Sequence, residues 1–494
     1  MKSISIAIIL VLLSCSFSHA AACSWSGNTG TVAAPYAAAD VSACVSDASS
    51  LTGAVIIQIP DSTPAQTETI TVNMRSGFTN VTGLTIRGQN DCTLDSNGIP
   101  TACGTNITNL VVSYTGLEGK AFRLAHMQIN GTSGFRIDGD GKSWRFDHLF
   151  WNGVTGAGIN SGRVIWINKG AAAYMTDGLI DHNYVYYGTT STIFLHYQAL
   201  YDGGNAEWMG ALGLGTANAF YLENNSFFLG SGTLAVTDCN GAGRFVARYN
   251  SFHNSFLAAH DAIVTNARGV RKWEVYNNTF EYDTNGNWWV GELRGGTGVF
   301  FNNTIVDPIH KLNGSGVGFV IYRTFGGHGG DPWTTYCSHN TGCAFLNSSH
   351  YPVANTCGSG TGNVLIDGTS DGSGDTPDGW PCRDQVGYIQ AADGSMVSKP
   401  FLFWNNTLNG VYQVAPFVSA GVPAGYIVEG REYCVAGHTS GGGWSGDAVT
   451  IPAICNGVTT TYASYSYPHP LQGSGCPGCF ACAQGLCNGY IPAR

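Results

Sequence analysis

The chain has 494 residues, of which 44% are hydrophobic and only 11% charged, with a formal net charge of −10. That hydrophobic share excludes a disordered chain, and a net-acidic sequence without a basic block excludes an ordinary nucleic-acid binder. Charged residues usually make up about 25% of a soluble domain. Here their place is taken by 68 Gly and by 12 Trp, 23 Tyr and 23 Phe, a composition that disfavours helix.

The N-terminus reads as an export signal. Lys2 gives a small positive region, Ile4 to Leu13 a short apolar core, and Ser18-His19-Ala20 a small-x-small cleavage site. A second reading competes: Leu12-Leu13-Ser14-Cys15 is similar to a bacterial lipobox, which would leave a lipid anchor at Cys15. Either way the expected location is secreted or cell-surface. No later apolar run is long enough to span a bilayer.

The sixteen Cys suit an oxidising compartment. With Cys15 set aside the count is odd, so at least one Cys is free, intermolecular or ligand-bound. Cys23 with Cys44, and Cys92 with Cys103, are local pairing candidates. Cys476, Cys479, Cys482 and Cys487 read as a disulfide-braced tail, because their spacing differs from iron–sulfur patterns and no His follows for zinc.

The middle of the chain repeats a short phrase. Asn225-Ser226-Phe227, Asn250-Ser251-Phe252, Asn278-Thr279-Phe280 and Asn303-Thr304-Ile305 are separated by 25, 28 and 25 residues, and Asn406-Thr407-Leu408 follows 103 residues later. Each copy follows a β-rich run. Phe146-Asp147-His148 and Ile180-Asp181-His182 are more divergent copies. A period in the mid-twenties with short strands predicts one coil of a parallel β-solenoid per copy. The recurring Asn is expected to form a ladder of side-chain amides between coils about 4.8 Å apart. The N-x-S/T sequons nearby read as a by-product of that ladder.

The opening segments Ala39 to Ala48, Val55-Ile56-Ile57-Gln58-Ile59-Pro60 and Leu84-Thr85-Ile86-Arg87-Gly88, with the Asn phrases, Arg294-Gly295-Gly296 and Tyr467-Pro468-His469-Pro470, resemble secreted proteins of the pectate-lyase-like superfamily. The resemblance covers about residues 35 to 310. It implies an all-β, right-handed parallel β-helix with an N-terminal cap and a Cys-rich C-terminal region. The expected layout is a signal at 1–20, a cap at 21–60, the β-helix at 61–312, a Gly/Cys-rich excursion at 313–400, a late coil at 401–415, and a Cys-rich cap or attachment tail at 416–494. Because this fold hosts many chemistries, it specifies no activity by itself.

Strand alternation assigns the faces. Leu222, Ala247, Val275 and Phe300, three places before each Asn, should point inward, as should Phe220, Phe245 and Trp273 two places earlier. Glu223, Arg248, Tyr276 and Phe301 should point outward, and aligning the Asp-His copies extends that column to Asp147 and Asp181. Polysaccharide lyases of the resembled fold suggest a use for such a column. Asp147, Asp181 and Glu223 would share a hard cation such as calcium, or an Arg would neutralise a uronate. The competing reading is a salt-bridge ladder on a solvated sheet.

The connection from Leu257 to Arg271 supplies a second candidate, with His260, Asp261, Arg268 and Arg271 suited to acid–base work and anion binding. In the lyase reading Arg268 or a cation neutralises the carboxylate, Arg248 or His260 takes the ring proton, and His260 or water protonates the leaving oxygen. Gly327-His328-Gly329 matches part of the polygalacturonase pattern, but Thr237-Asp238 lacks its paired carboxylates. Trp208, Trp288, Trp289 and Trp333 are candidates for stacking sugars or for packing. The function expected is carbohydrate-active, a lyase on a uronate-containing polysaccharide. The alternative is a non-catalytic β-helix used as a surface, adhesion or structural rod.

Overall fold

A computed structural model describes residues 19–22, 41–59, 61, 68–139, 141, 143–156, 163–169, 177–187, 193–199, 211–229, 234–259, 269–283, 289–307, 319–321, 386–390, 396–412, 417–418, 427, 429–435, 449–451 and 460–473. The chain winds as a parallel β-helix with three long sheets. In the repeating coils a strand of sheet I turns a tight corner into sheet II, which leads on to sheet III. Sheet I has twelve strands, running from His19–Ala22 through Ser143–Asp147, Gly178–Asp181, Phe220–Glu223, Arg244–Arg248, Lys272–Tyr276 and Thr297–Phe301 to Tyr433–Val435. Sheet II includes Phe150–Gly156, Tyr184–Tyr187, Ser226–Leu229, Ser251–His253, Thr279–Glu281 and Thr304–Val306. Sheet III includes Leu110–Gly116, Ile165–Lys169, Leu195–Ala199, Leu234–Cys239, Ser255–Ala259 and Gly291–Leu293. The long strand Gln128–Gly139 bends to serve both sheets II and III. Helix Val41–Ala48 caps the first coils by burying Val41, Cys44, Val45 and Ala48.

The Asn phrase marks the corner between sheets I and II, as its spacing predicts. Asn225 Nδ2 donates to Asn250 Oδ1 (3.0 Å), Asn250 to Asn278 (3.0 Å), Asn278 to Asn303 (3.0 Å) and Asn303 to Asn406 (3.0 Å). Asn183 joins the ladder ahead of Asn225 (2.9 Å), although the divergent Ile180-Asp181-His182 copy does not display it in phrase form. The residue just before each ladder position turns the corner in the left-handed region: His148, His182, Asn224, Tyr249, Asn277, Asn302 and Asn405 have φ between 52° and 57°. Asn and His are enriched in that region among non-glycine residues, whereas Tyr is not. The sequon asparagines Asn224, Asn277, Asn302 and Asn405 are therefore corner residues, beside the ladder rather than in it.

Register matches the predicted columns. Phe220, Phe245, Trp273 and Gly298 align, as do Leu222, Ala247, Val275 and Phe300, and the aromatic and aliphatic members lie in the continuous solenoid core. Phe227, Phe252 and Phe280 stack inside sheet II at 5.2 and 4.7 Å. Gly178 leaves space for the preceding coil: a Cβ there would lie 2.1 Å from the Trp144 ring.

Cys92 and Cys103 form a disulfide, as expected, closing the hairpin of Thr93–Leu94 and Pro100–Ala102. Cys44 and Cys434 are also disulfide-bonded, to partners outside the described residues, and Cys239 is a buried free thiol. Cys15, Cys23 and the four tail Cys lie outside the described residues. Among the described residues no helix is long and apolar enough to cross a membrane.

Candidate functional site

The charged column on sheet I exists in register, since Asp147 pairs with Asp181, Asp181 with Glu223 and Glu223 with Arg248. Each carboxylate meets an arginine. Arg123 grips both oxygens of Asp147 (2.7 and 2.6 Å), and Arg145 does the same to Asp181 (2.8 and 2.7 Å). Arg248 bonds Glu223 Oε2 at 2.7 Å. The same Oδ2 atoms of Asp147 and Asp181 also meet the Nδ1 of His148 (2.7 Å) and His182 (2.8 Å). Two Arg–Asp–His triads thus stand on successive coils. Burial alone would raise the Asp147 and Asp181 carboxyls. Their arginines overcome it and hold both below the ordinary carboxylate range, Asp147 well below.

One expectation for this column needs correction: Glu223 and Arg248 do not face solvent. Residues 460–473 form a strap across the outer face of sheet I, and Glu223 and Arg248 are both 0% exposed beneath it. Arg248 donates to the carbonyls of Tyr465 and Ser466 (2.6 Å each) and to the Tyr276 hydroxyl (3.0 Å). Glu223 Oε1 accepts from His469 N (3.0 Å) and Gln472 Nε2 (2.6 Å). Farther along, Lys272 pairs with Glu274 at 2.7 Å, and Glu274 accepts the Tyr462 hydroxyl at 2.6 Å. Between these charges Tyr221, Val246, Tyr276, Val299, Phe301 and Trp404 form a second apolar core with Tyr462 and Leu471. The face read as a substrate surface is therefore an internal interface, and Arg248 is its anchor rather than a base that a substrate can reach.

Burial opposes the charge on Arg248, but Glu223 and Tyr276 overcome it and keep the guanidinium firmly protonated. Burial also pushes Glu223 upward against the pull of Arg248. We take the pair as ionised, because both carboxylate oxygens are bonded by donors.

A calcium ion at Asp147, Asp181 and Glu223 would compete with guanidiniums already bonded to them. His126, Asp147 and His148 each bring a ligand atom to within 4.8 Å of the others. The rings of His126 and His148 nevertheless stack 4.8 Å apart at an interplanar angle of 14°. In-plane lone pairs of near-parallel rings do not converge on one ion, as a tetrahedral site requires.

Of the loop candidates, His260, Asp261 and Arg268 lie outside the described residues, as do Trp208, Trp288, His328 and Trp333. Arg271 is fully buried, which corrects its reading as an accessible loop residue. The connection does depart from an informative place. Ala259, its last described residue on that side, ends a sheet III strand and accepts from Arg294 Nε at 3.0 Å.

Sheet III carries the outward row that the sequence reading missed. Register aligns Ser113, Arg136, Trp166, His196, Asp238, Ala258 and Glu292 on successive coils. His196 Nδ1 lies 3.6 Å from Asp238 Oδ2, and Arg294 reaches Asp238 Oδ1 at 3.4 Å. Trp166 meets the His196 ring edge-on at 5.8 Å. One column over, Asp138 accepts from Arg136 (2.8 Å) and Asn168 (2.6 Å). The row is set into the surface, with the His196 side chain 2% and the Asp238 side chain 11% exposed. The 3.6 Å separation is longer than a hydrogen bond, so Asp238 faces the ring without gripping it; a histidine placed so, with guanidiniums beside it, can move a proton next to a bound anion.

The signal available in the sequence was alternation within Ile165–Lys169, Leu195–Ala199 and Leu234–Cys239. There His196 and Asp238 stand between inward Leu195 and Tyr197 and between inward Thr237 and Cys239. Comparison with protein-family models, with curated proteins and with solved structures finds no match to this chain.

Proposed function

We propose that the protein is a secreted or cell-surface carbohydrate-active protein, similar to the pectate-lyase-like superfamily, that cleaves a uronate-containing polysaccharide by elimination on the outer row of sheet III. The observation carrying this reading is the convergence of His196, Asp238 and Arg294 from three coils of one sheet. Asp238 faces Nδ1 of His196, and in this reading the imidazole takes the ring proton next to the sugar carboxylate. As that C–H bond breaks, a C=C bond forms and the glycosidic C–O bond breaks. The leaving oxygen then takes a proton from the histidine or from water. Arginines of the row supply the positive charge that makes the ring proton acidic, the part a calcium ion would play in a cation-dependent variant.

Purified protein is incubated with uronate polysaccharides, with and without calcium, and unsaturated product is followed by ultraviolet absorbance. The expected result is turnover that falls about a hundredfold or more in His196→Gln, the scale of a lost general base. Full activity in that variant would remove His196 from the chemistry. No unsaturated product from any uronate polymer would favour the rigid-rod reading, which the fully paired charges beneath the sheet I strap support.

A further inference from the structure

Beside the sheet III row, one guanidinium has no counter-ion among the described residues. Arg163 precedes the strand Ile165–Lys169, and its guanidinium carbon lies 5.7 Å from the Trp166 ring centroid, while that of Arg136 lies 5.6 Å from the same ring. Arg136 is matched by Asp138 at 2.8 Å. Asp138 is further engaged by Asn168, so both of its oxygens are already bonded. Among the described residues no carboxylate lies within ion-pair distance of Arg163. Its Nε is buried with no acceptor, and so is the adjacent Trp166 Nε1. A part-buried arginine whose Nε is enclosed presents its terminal nitrogens as the open end.

We propose that Arg163, held against Trp166, is the subsite that recognises the carboxylate of an acidic sugar residue. This rests on the reading of sheet III as the glycan site. The indole fixes the guanidinium by a cation–π contact. The planar fork then matches a carboxylate through two parallel charge-assisted hydrogen bonds, which the compact ammonium of a lysine cannot reproduce. Trp166 adjoins His196 on the next coil at 5.8 Å, so the bound carboxylate belongs to the sugar at or next to the reacting position. Arg163 is thus a specificity-determining residue, acting on which polymer binds.

The test is calorimetric titration of the full chain with an oligouronate and with the same oligosaccharide after reduction of its carboxyl groups to alcohols. Wild type should bind the acidic form at least about tenfold more tightly, the scale of one charge-assisted interaction. Arg163→Gln should lose most of that preference while its affinity for the reduced oligosaccharide is unchanged, and Arg163→Lys should recover only part of it. Undiminished preference in Arg163→Gln, or equal binding of both sugars by wild type, overturns the subsite and leaves the glycan reading standing. Binding of neither sugar by wild type overturns both.

Discussion

Replacing Asn278 with Ala tests whether the amide ladder holds the coils together. Asn278 Nδ2 donates to Asn303 Oδ1 (3.0 Å), Ala247 O (2.9 Å) and Tyr276 O (3.0 Å). Its Oδ1 accepts from Asn250 N (2.9 Å) and Asn250 Nδ2 (3.0 Å). Truncation removes all of these. Asn250 Nδ2 keeps the carbonyls of Leu222 and Arg248, but the Asn250 N–H is left buried without its acceptor. An orphaned buried donor costs about 1–3 kcal/mol, and each remaining lost bond about 1 kcal/mol or less once carbonyls keep other partners. The expected loss is about 3–5 kcal/mol. Because solenoid coils are coupled mainly to their neighbours, the loss should be local. Hydrogen exchange at the Asn250 and Asn278 amides reads it directly, with denaturant unfolding as the global measure. Exposed Thr279 provides the control, since Thr279→Ala should shift stability by no more than about 0.5 kcal/mol. Undiminished protection of the Asn250 amide in Asn278→Ala, with a stability change under about 1 kcal/mol, would refute the ladder as a stabilising device.

Arg248→Ala should destabilise by about 3–5 kcal/mol, because it leaves Glu223 buried without its cation. Limited proteolysis should then cut within residues 460–473, and a variant as resistant as wild type would show that the strap does not depend on this anchor. Acid should weaken the fold from near-neutral pH downward. His126 and His469 are pushed down to about 3, chiefly by burial. Between an unfolded value near 6.5 and that folded value the unfolded chain binds more protons. Stability should therefore hold above about pH 6.5 and fall as the pH drops toward 3, by up to about 1.4 kcal/mol per unit for each histidine. Denaturant unfolding between pH 7 and pH 4 checks this, and an unchanged midpoint would contradict it. His469→Asn should flatten the slope.

The repeated Asn and the alternation before it were enough to predict coils, inward columns and the alignment of Asp147, Asp181, Glu223 and Arg248, because strand side chains alternate and identical corners stack. Whether an outward column meets water is a different matter. The segment that covers Arg248 lies 218 residues away, is irregular, and shares no period with the coils, so local pattern carries no trace of the burial. The sheet III row was hidden for a related reason. Its strands follow connections of unequal length and lack the Asn marker, so Arg294 and Asp238, 56 residues apart, come together only once the winding of the solenoid sets the register between coils. Periodic hydrogen bonding is local enough to be written in a repeat. The meeting of a strap with a sheet, or of three polar side chains on different coils, depends on distances that the closed coil alone determines.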